Sequence, residues 1–211
     1  MRKAFLILGI LYFFVSNSSS LTSEELAVKI EKKYKSLKDI SMSFTQITKS
    51  EIFSTEKKVR GKMYLKNPDK FRIDTPSQSI VTDGELLWLF SEKNEQVTIH
   101  KLKESKNIFK PHDYIYNFRE NYTPQLGEDE KVDKRSCFTL VLTPKKEELF
   151  VTGMTLWIDK KNLLVRKLEY QDMNDNWVSL VFDKIKINSD LEDSQFVFIP
   201  PEGIEVVDLT E

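Results

Sequence analysis

The sequence predicts a mainly β fold of the α+β class: one strongly curved antiparallel sheet of about eleven strands, covered by two or three α-helices. Three observations predict it. Apolar and polar residues alternate at a period of two over much of the chain after Ile40, which is the spacing of half-buried strands. The connections between these runs are short and rich in Gly, Pro, Asn and Asp. No helix separates successive strands, so parallel βαβ units are not expected. Helical spacing is confined to residues 22–37 and to a segment opened by Pro111.

In chain order, residues 1–20 come first and stand apart. Met1-Arg2-Lys3 is basic, residues 4–15 are apolar apart from Gly9, and residues 16–20 are small and polar. This is the pattern of a secretory signal peptide cut near Ser20. A membrane anchor is the other reading, but about 12 apolar residues fall short of the ~20 that span a bilayer. Cleavage leaves 191 residues as a single domain, 21–211, and moves the formal net charge from −1 to −3. That balance argues against a nucleic-acid binder. Cys137 is the only cysteine, so no intrachain disulfide forms, and it lies far from the cut where a lipoprotein carries its acylated Cys. The exported chain is expected to be soluble and not itself lipid-anchored.

Residues 22–37 read as a helix with a Thr22/Glu25 capping box. Leu26, Ile30, Tyr34 and Leu37 form a narrow apolar stripe against a Lys/Glu-rich remainder, so this helix lies on a surface rather than inside a core. Strands follow at 41–53, 59–66, 70–74, 78–82, 85–90 and 95–102. Turns at Asn67-Pro68-Asp69, Thr75-Pro76-Ser77 and Asp83-Gly84 separate several of them. Pro111 opens a helix to about Arg119 that carries Tyr114, Ile115 and Phe118. Residues 123–131 read as a loop. Strands resume at 136–143, 150–159, 163–171, 176–187 and 195–199.

Several strands are apolar on both faces, as in Leu86-Leu87-Trp88-Leu89-Phe90 and Phe138 to Leu142. A sheet this wide curls, and short, narrow-striped helices fill its hollow poorly. An apolar cavity under a helical lid is one outcome, and a packed two-layer core is the other. Chemistry is hard to find. His100 and His112 have no metal spacing, and His112 near a helix start reads as a surface residue. There is no Gly-x-Ser-x-Gly elbow and no glycine-rich phosphate loop. The pair Glu147-Glu148 reads as solvated surface, and the segment from Asp172 to Trp177 as a hairpin turn rather than a calcium loop. No cofactor, metal or catalytic residue is expected.

Several segments, in order, resemble the LolA family of periplasmic outer-membrane lipoprotein carriers. They are Ser43-Phe44-Thr45-Gln46, the run from Gly61 to Arg72 with Asn67-Pro68-Asp69-Lys70-Phe71, Ile80-Val81-Thr82-Asp83-Gly84, Leu87-Trp88, Leu142-Thr143-Pro144-Lys145, and the run from Phe196 to Gly203. The resemblance implies an unclosed antiparallel β-barrel with a helical lid. It also implies a non-enzymatic periplasmic carrier that shields the acyl chains of diacylated or triacylated lipoproteins. The implied partners are an inner-membrane lipoprotein-releasing ABC transporter and, where one exists, a LolB-like outer-membrane acceptor. No nucleic acid is implied, and the carrier is expected to be a monomer.

Residue by residue, Ile30, Tyr34 and Leu37 are expected to face the cavity from the lid, with Ile115 and Phe118. Phe71 matches a family aromatic at the entrance that meets the transporter. Met63, Leu65, Ile73, Ile80, Trp88, Phe90 and Leu140 are expected to form the sheet wall, an assignment that a one-residue slip inverts. In well-studied members an Arg precedes the Pro of this motif and latches the lid. Here the latch position is Asn67, which is shorter and uncharged, so a weaker latch or another residue such as Arg72 or Arg60 is expected. The alternative function is an RseB-like lipid-sensing or regulatory module on the same fold. A LolB-type receptor is disfavoured by the missing lipidation Cys.

Overall fold

The structure is a computed structural model and describes residues 21–50, 54–105, 108–146, 151–172 and 175–210. The expected signal peptide and the pair Glu147-Glu148 lie outside the described residues. Helix α1 spans Ser23–Lys35. Its first turn is closed by the expected capping box: Glu25 N donates to Thr22 Oγ1 and Thr22 N to the Glu25 carboxylate. Strands β1 (Asp39–Ser50), β2 (Thr55–Lys66), β3 (Lys70–Thr75), β4 (Gln78–Thr82), β5 (Leu86–Ser91) and β6 (Gln96–Lys101) form an antiparallel meander. Two short helices follow, α2 (Pro111–Ile115) and α3 (Phe118–Asn121). The single expected helix breaks at Asn117, which leaves helical geometry at φ −135°.

The second half supplies β7 (Tyr122–Leu126), β8 (Glu130–Val132), β9 (Arg135–Pro144), β10 (Met154–Asp159), β11 (Val165–Gln171), β12 (Trp177–Ile187) and β13 (Glu205–Asp208). One sheet runs β13-β6-β5-β4-β3-β2-β1-β12-β11-β10-β9-β7, with β8 also paired to β9. Its ends, β13 and β7, are not joined, so the barrel is unclosed. Pairing is antiparallel except between β13 and β6, which run parallel.

Four strands, β13 among them, differ from the sequence expectation. The expected loop at 123–131 instead contains β7 and β8, two halves of one edge strand, with Gly127 N bonded to Thr139 O between them. The expected strand at 195–199 is a 3-10 turn at Asp193–Phe196 followed by coil. This stretch belongs to a strap that leaves β12 and crosses the convex face of the sheet. Asp39 accepts hydrogen bonds from Ser189 and Leu191, and Lys66 and Lys70 both pair with Asp193. The strap then delivers β13 to the free edge of β6.

The core divides between the two faces. On the concave face Ile40, Met42 and Phe44 of β1 meet Met63 and Leu65 of β2, Leu140 and Leu142 of β9, and Leu156 and Leu168 farther round the curl. On the convex face a separate cluster of Val81, Trp88 and Val97 lies under Phe198 and Ile204 beyond the strap. Each face of the sheet thus removes its own apolar set from water. No helix among the described residues is long and apolar enough to cross a membrane.

Candidate functional site

The concave face and the helices meet in one apolar layer. Helix α1 turns Leu26, Ala27, Ile30 and Tyr34 toward the sheet at its 3.6-residue period. The α2–α3 segment adds Tyr114, Ile115, Tyr116 and Phe118. Aromatic rings dominate the contact. Tyr34 meets Tyr116 edge-on at 5.4 Å, His112 stacks on Tyr116 at 4.4 Å, and Phe71 lies 6.3 Å from His112. Phe109 stacks between Tyr114 and Tyr170 at 4.8 and 5.6 Å. The lid therefore rests directly on the sheet, and side chains occupy the space between them. A hollow of ≈ 670 Å³ lies elsewhere, around Ser43, Thr45, Arg60 and Lys62 on the convex side.

A few polar contacts pin this apolar layer shut. Tyr34 Oη accepts a hydrogen bond from Val165 N of β11 at 2.9 Å, and burial pushes its phenol pKa up to about 12. Asn67 lies in the β2–β3 turn beneath the last turn of α1. Its Nδ2 donates to Leu37 O at 2.6 Å and more weakly to Tyr34 O at 3.4 Å. Tyr34 O lies in the last turn of α1, where it also accepts from Leu37 N at 3.0 Å, and Leu37 O lies just past the helix end. Glu31, nearly buried on α1, accepts from the backbone N of Arg119 at 3.0 Å, and Arg119 also pairs with Glu24. One arginine thus ties α1 to α3.

Most of the expected residues converge here. Ile30, Tyr34, Leu37, Met63, Leu65, Phe71, Ile73, Ile115, Phe118 and Leu140 are all buried in the layer between lid and sheet, and Ile80 packs against it. Trp88 and Phe90 do not join them. They lie on the convex face with Val81 and Val97, Phe90 stacking on Phe198 at 5.5 Å. Leu87 and Leu89 take the concave positions of β5. Every residue from Leu86 to Phe90 is apolar, so alternation could not choose the face, and the strap that covers the other side was not visible.

One further expectation is corrected. His112 is not a surface residue: only 7% of it is exposed, and burial pushes its pKa down to about 4. Asn67, at the position expected for the latch, makes the two contacts to the end of the α1 segment given above. Arg72 pairs instead with Asp74 and donates to Gln195 O of the strap, and Arg60 lines the convex hollow. Sequence reasoning missed Phe109, His112, Tyr116 and Tyr170 as site residues. The aromatic density of 109–118 was the available signal.

The fold is a curved, unclosed, mainly antiparallel sheet whose apolar concave face is covered by short helices. The chain belongs to the LolA family: the model of the outer membrane lipoprotein carrier protein LolA matches residues 35–199. This is a family of carriers rather than enzymes. An outer-membrane lipoprotein carrier protein of Francisella philomiragia is 27% identical over 213 residues, covering 99% of each chain. An uncharacterized protein of Methanocaldococcus jannaschii is 27% identical over 207 residues. That match covers 96% of this chain and spans only 58% of the relative's length. An uncharacterized conserved protein of Thermus thermophilus shares the fold with a TM-score of 0.60 at 13% identity, covering 88% of this chain and 98% of that one.

Proposed function

We propose that this chain is a soluble periplasmic carrier that binds the acyl chains of diacylated or triacylated lipoproteins between its lid and the concave face of the sheet. It receives them from an inner-membrane ABC transporter and hands them to an acceptor at the outer membrane. It acts as a monomer and performs no bond chemistry. One observation carries the reading: a wide apolar layer is closed by short helices held through few polar contacts, at Asn67, Tyr34 and Glu31. Such a lid can lift without unfolding the sheet.

The energetics fit transient cargo. Each methylene moved out of water contributes ~0.8 kcal/mol, so acylated proteins do not cross an aqueous space unaided. Loading must also separate side chains that satisfy one another in the closed form. That separation weakens net binding and lets cargo leave for an acceptor that holds it more strongly. The test is incubation of the purified protein with inner-membrane spheroplasts. The expected result is a water-soluble complex of the protein with a released lipoprotein. Absence of release from spheroplasts with a working transporter would overturn the carrier reading.

A further inference from the structure

The lid interface contains polar atoms that the closed form leaves unused. His112 is 7% exposed and Tyr116 2%. Neither ring nitrogen of His112 nor the hydroxyl of Tyr116 has a hydrogen-bond partner. Buried polar atoms are nearly always paired, and leaving them unpaired is costly. The two residues are four positions apart, at the second residue of α2 and at its C-cap, so they share a face, and their rings stack at 4.4 Å. The packing neighbours are aromatic: Phe71 lies 6.3 Å from the imidazole, and Tyr34 meets Tyr116 edge-on at 5.4 Å, while the carboxylates of Asp69 and Asp39 act on the pair electrostatically without bonding to it.

Burial keeps the imidazole neutral at ordinary pH, its pKa pushed down to about 4. A neutral imidazole offers one donor and one acceptor, and a phenol offers one donor. Two donors set side by side among aromatic and aliphatic side chains match a ligand that is hydrocarbon along its length and carries carbonyl oxygens at one end. An acyl ester or amide has this composition.

We propose that His112 and Tyr116 are the polar anchor of the acyl site, donating hydrogen bonds to the ester or amide carbonyl oxygens at the head of the bound chains. The site then selects acyl chains over plain hydrocarbon and fixes which end of the chain lies under α2. This rests on the carrier reading above and adds to it the chemistry that the site recognises.

The test uses the full chain and two fluorescent lipopeptides with the same peptide and chain length. One carries two ester-linked acyl chains, and the other carries ether-linked alkyl chains with a methylene in place of each carbonyl. The wild type is expected to bind the ester about tenfold more tightly, as two modest hydrogen bonds allow. In the double variant His112→Phe, Tyr116→Phe the preference, read as the ratio of the two affinities in the same protein, is expected to fall below about threefold. If that variant does not fold, Tyr116→Phe alone, which removes one hydroxyl, should still reduce the preference. With a ¹³C-labelled ester, the carbonyl stretch should shift to lower frequency in the wild type and not in the variant. Equal binding of both probes by the wild type would overturn the anchor and leave the carrier reading standing. So would a preference that survives the double variant, which would place water or another group on these atoms. Binding of neither probe would overturn the carrier reading, and the anchor with it.

Discussion

Replacing Asn67 with Ala isolates one lid contact. The Asn67 side chain donates to Leu37 O at 2.6 Å and to Tyr34 O at 3.4 Å. The first is a full hydrogen bond, and the second lies near the limit of one. Together they stabilise the seat of α1 by about 1 kcal/mol. The backbone bond from Asn67 N to Lys38 O persists in the variant, as do the contacts of Tyr34 and Glu31. The sheet therefore keeps its register while the lid loosens. Lid opening should become about fivefold more populated. Where opening limits release, a bound fluorescent acyl lipopeptide should leave about fivefold faster into excess unlabelled vesicles. The converse change, Asn67→Arg, sets a positive charge against the C-terminal end of α1, where it gains ~0.3–1 kcal/mol. It should slow the same exchange by roughly two- to fivefold. Release rates that stay at the wild-type value in the Ala variant, with unchanged hydrogen exchange in the last turn of α1, would refute Asn67 as a latch.

Three further outcomes follow from the same geometry. In Gly61→Ala the new Cβ would run into the Phe44 ring and lie 2.5 Å from Asp74 O. Urea unfolding should show a loss of about 2–4 kcal/mol, and a loss below about 0.5 kcal/mol would contradict the β1–β2–β3 packing. His112 has its folded pKa depressed to about 4 from 6.5. Its stabilising effect is therefore fully present above pH 6.5 and is lost as pH falls toward 4, by roughly 3 kcal/mol in all. Burial raises the pKa of neighbouring Asp113, which acts in the opposite sense. The readout is thus the difference between wild type and His112→Phe across that window, and parallel stability curves would count against a buried neutral imidazole. A photo-crosslinking amino acid in place of Leu89 should capture an acyl probe and the same group in place of Phe90 should not. The reverse pattern would invert the faces of β5.

What could be read from the sequence depended on how local the deciding force was. The capping box at Thr22 and Glu25, the stripe through Ile30 and Tyr34, and the alternation of Met63 and Leu65 each depend on residues a few positions apart, and each appears as expected. The face of β5 depends on a strap more than a hundred residues downstream, since only the cover over Trp88 and Phe90 distinguishes them from Leu87 and Leu89. β13 likewise pairs with β6 because the strap carries it there. β7 and β8 escaped notice because Pro124 and the charged run from Glu128 to Lys131 resemble a loop, whereas an edge strand tolerates both. His112 looked solvated from its neighbours in sequence, and its burial arises from contact with Phe71 across the fold. The expectation for Asn67 came from family resemblance. The geometry adds that a short amide reaches the end of the α1 segment, because the β2–β3 turn sits directly under it.

The central claim is that acyl chains enter by separating the lid from the concave face. Pulsed electron paramagnetic resonance between spin labels at Lys29 on α1 and Lys58 on β2, both exposed, measures that separation, and buried Cys137 stays unlabelled. Addition of a diacylated lipopeptide should lengthen the distance by about 4 Å or more, the thickness of one inserted layer of carbon atoms. The deacylated peptide should leave it unchanged. A distance that does not move while the lipopeptide is bound one to one would contradict the account.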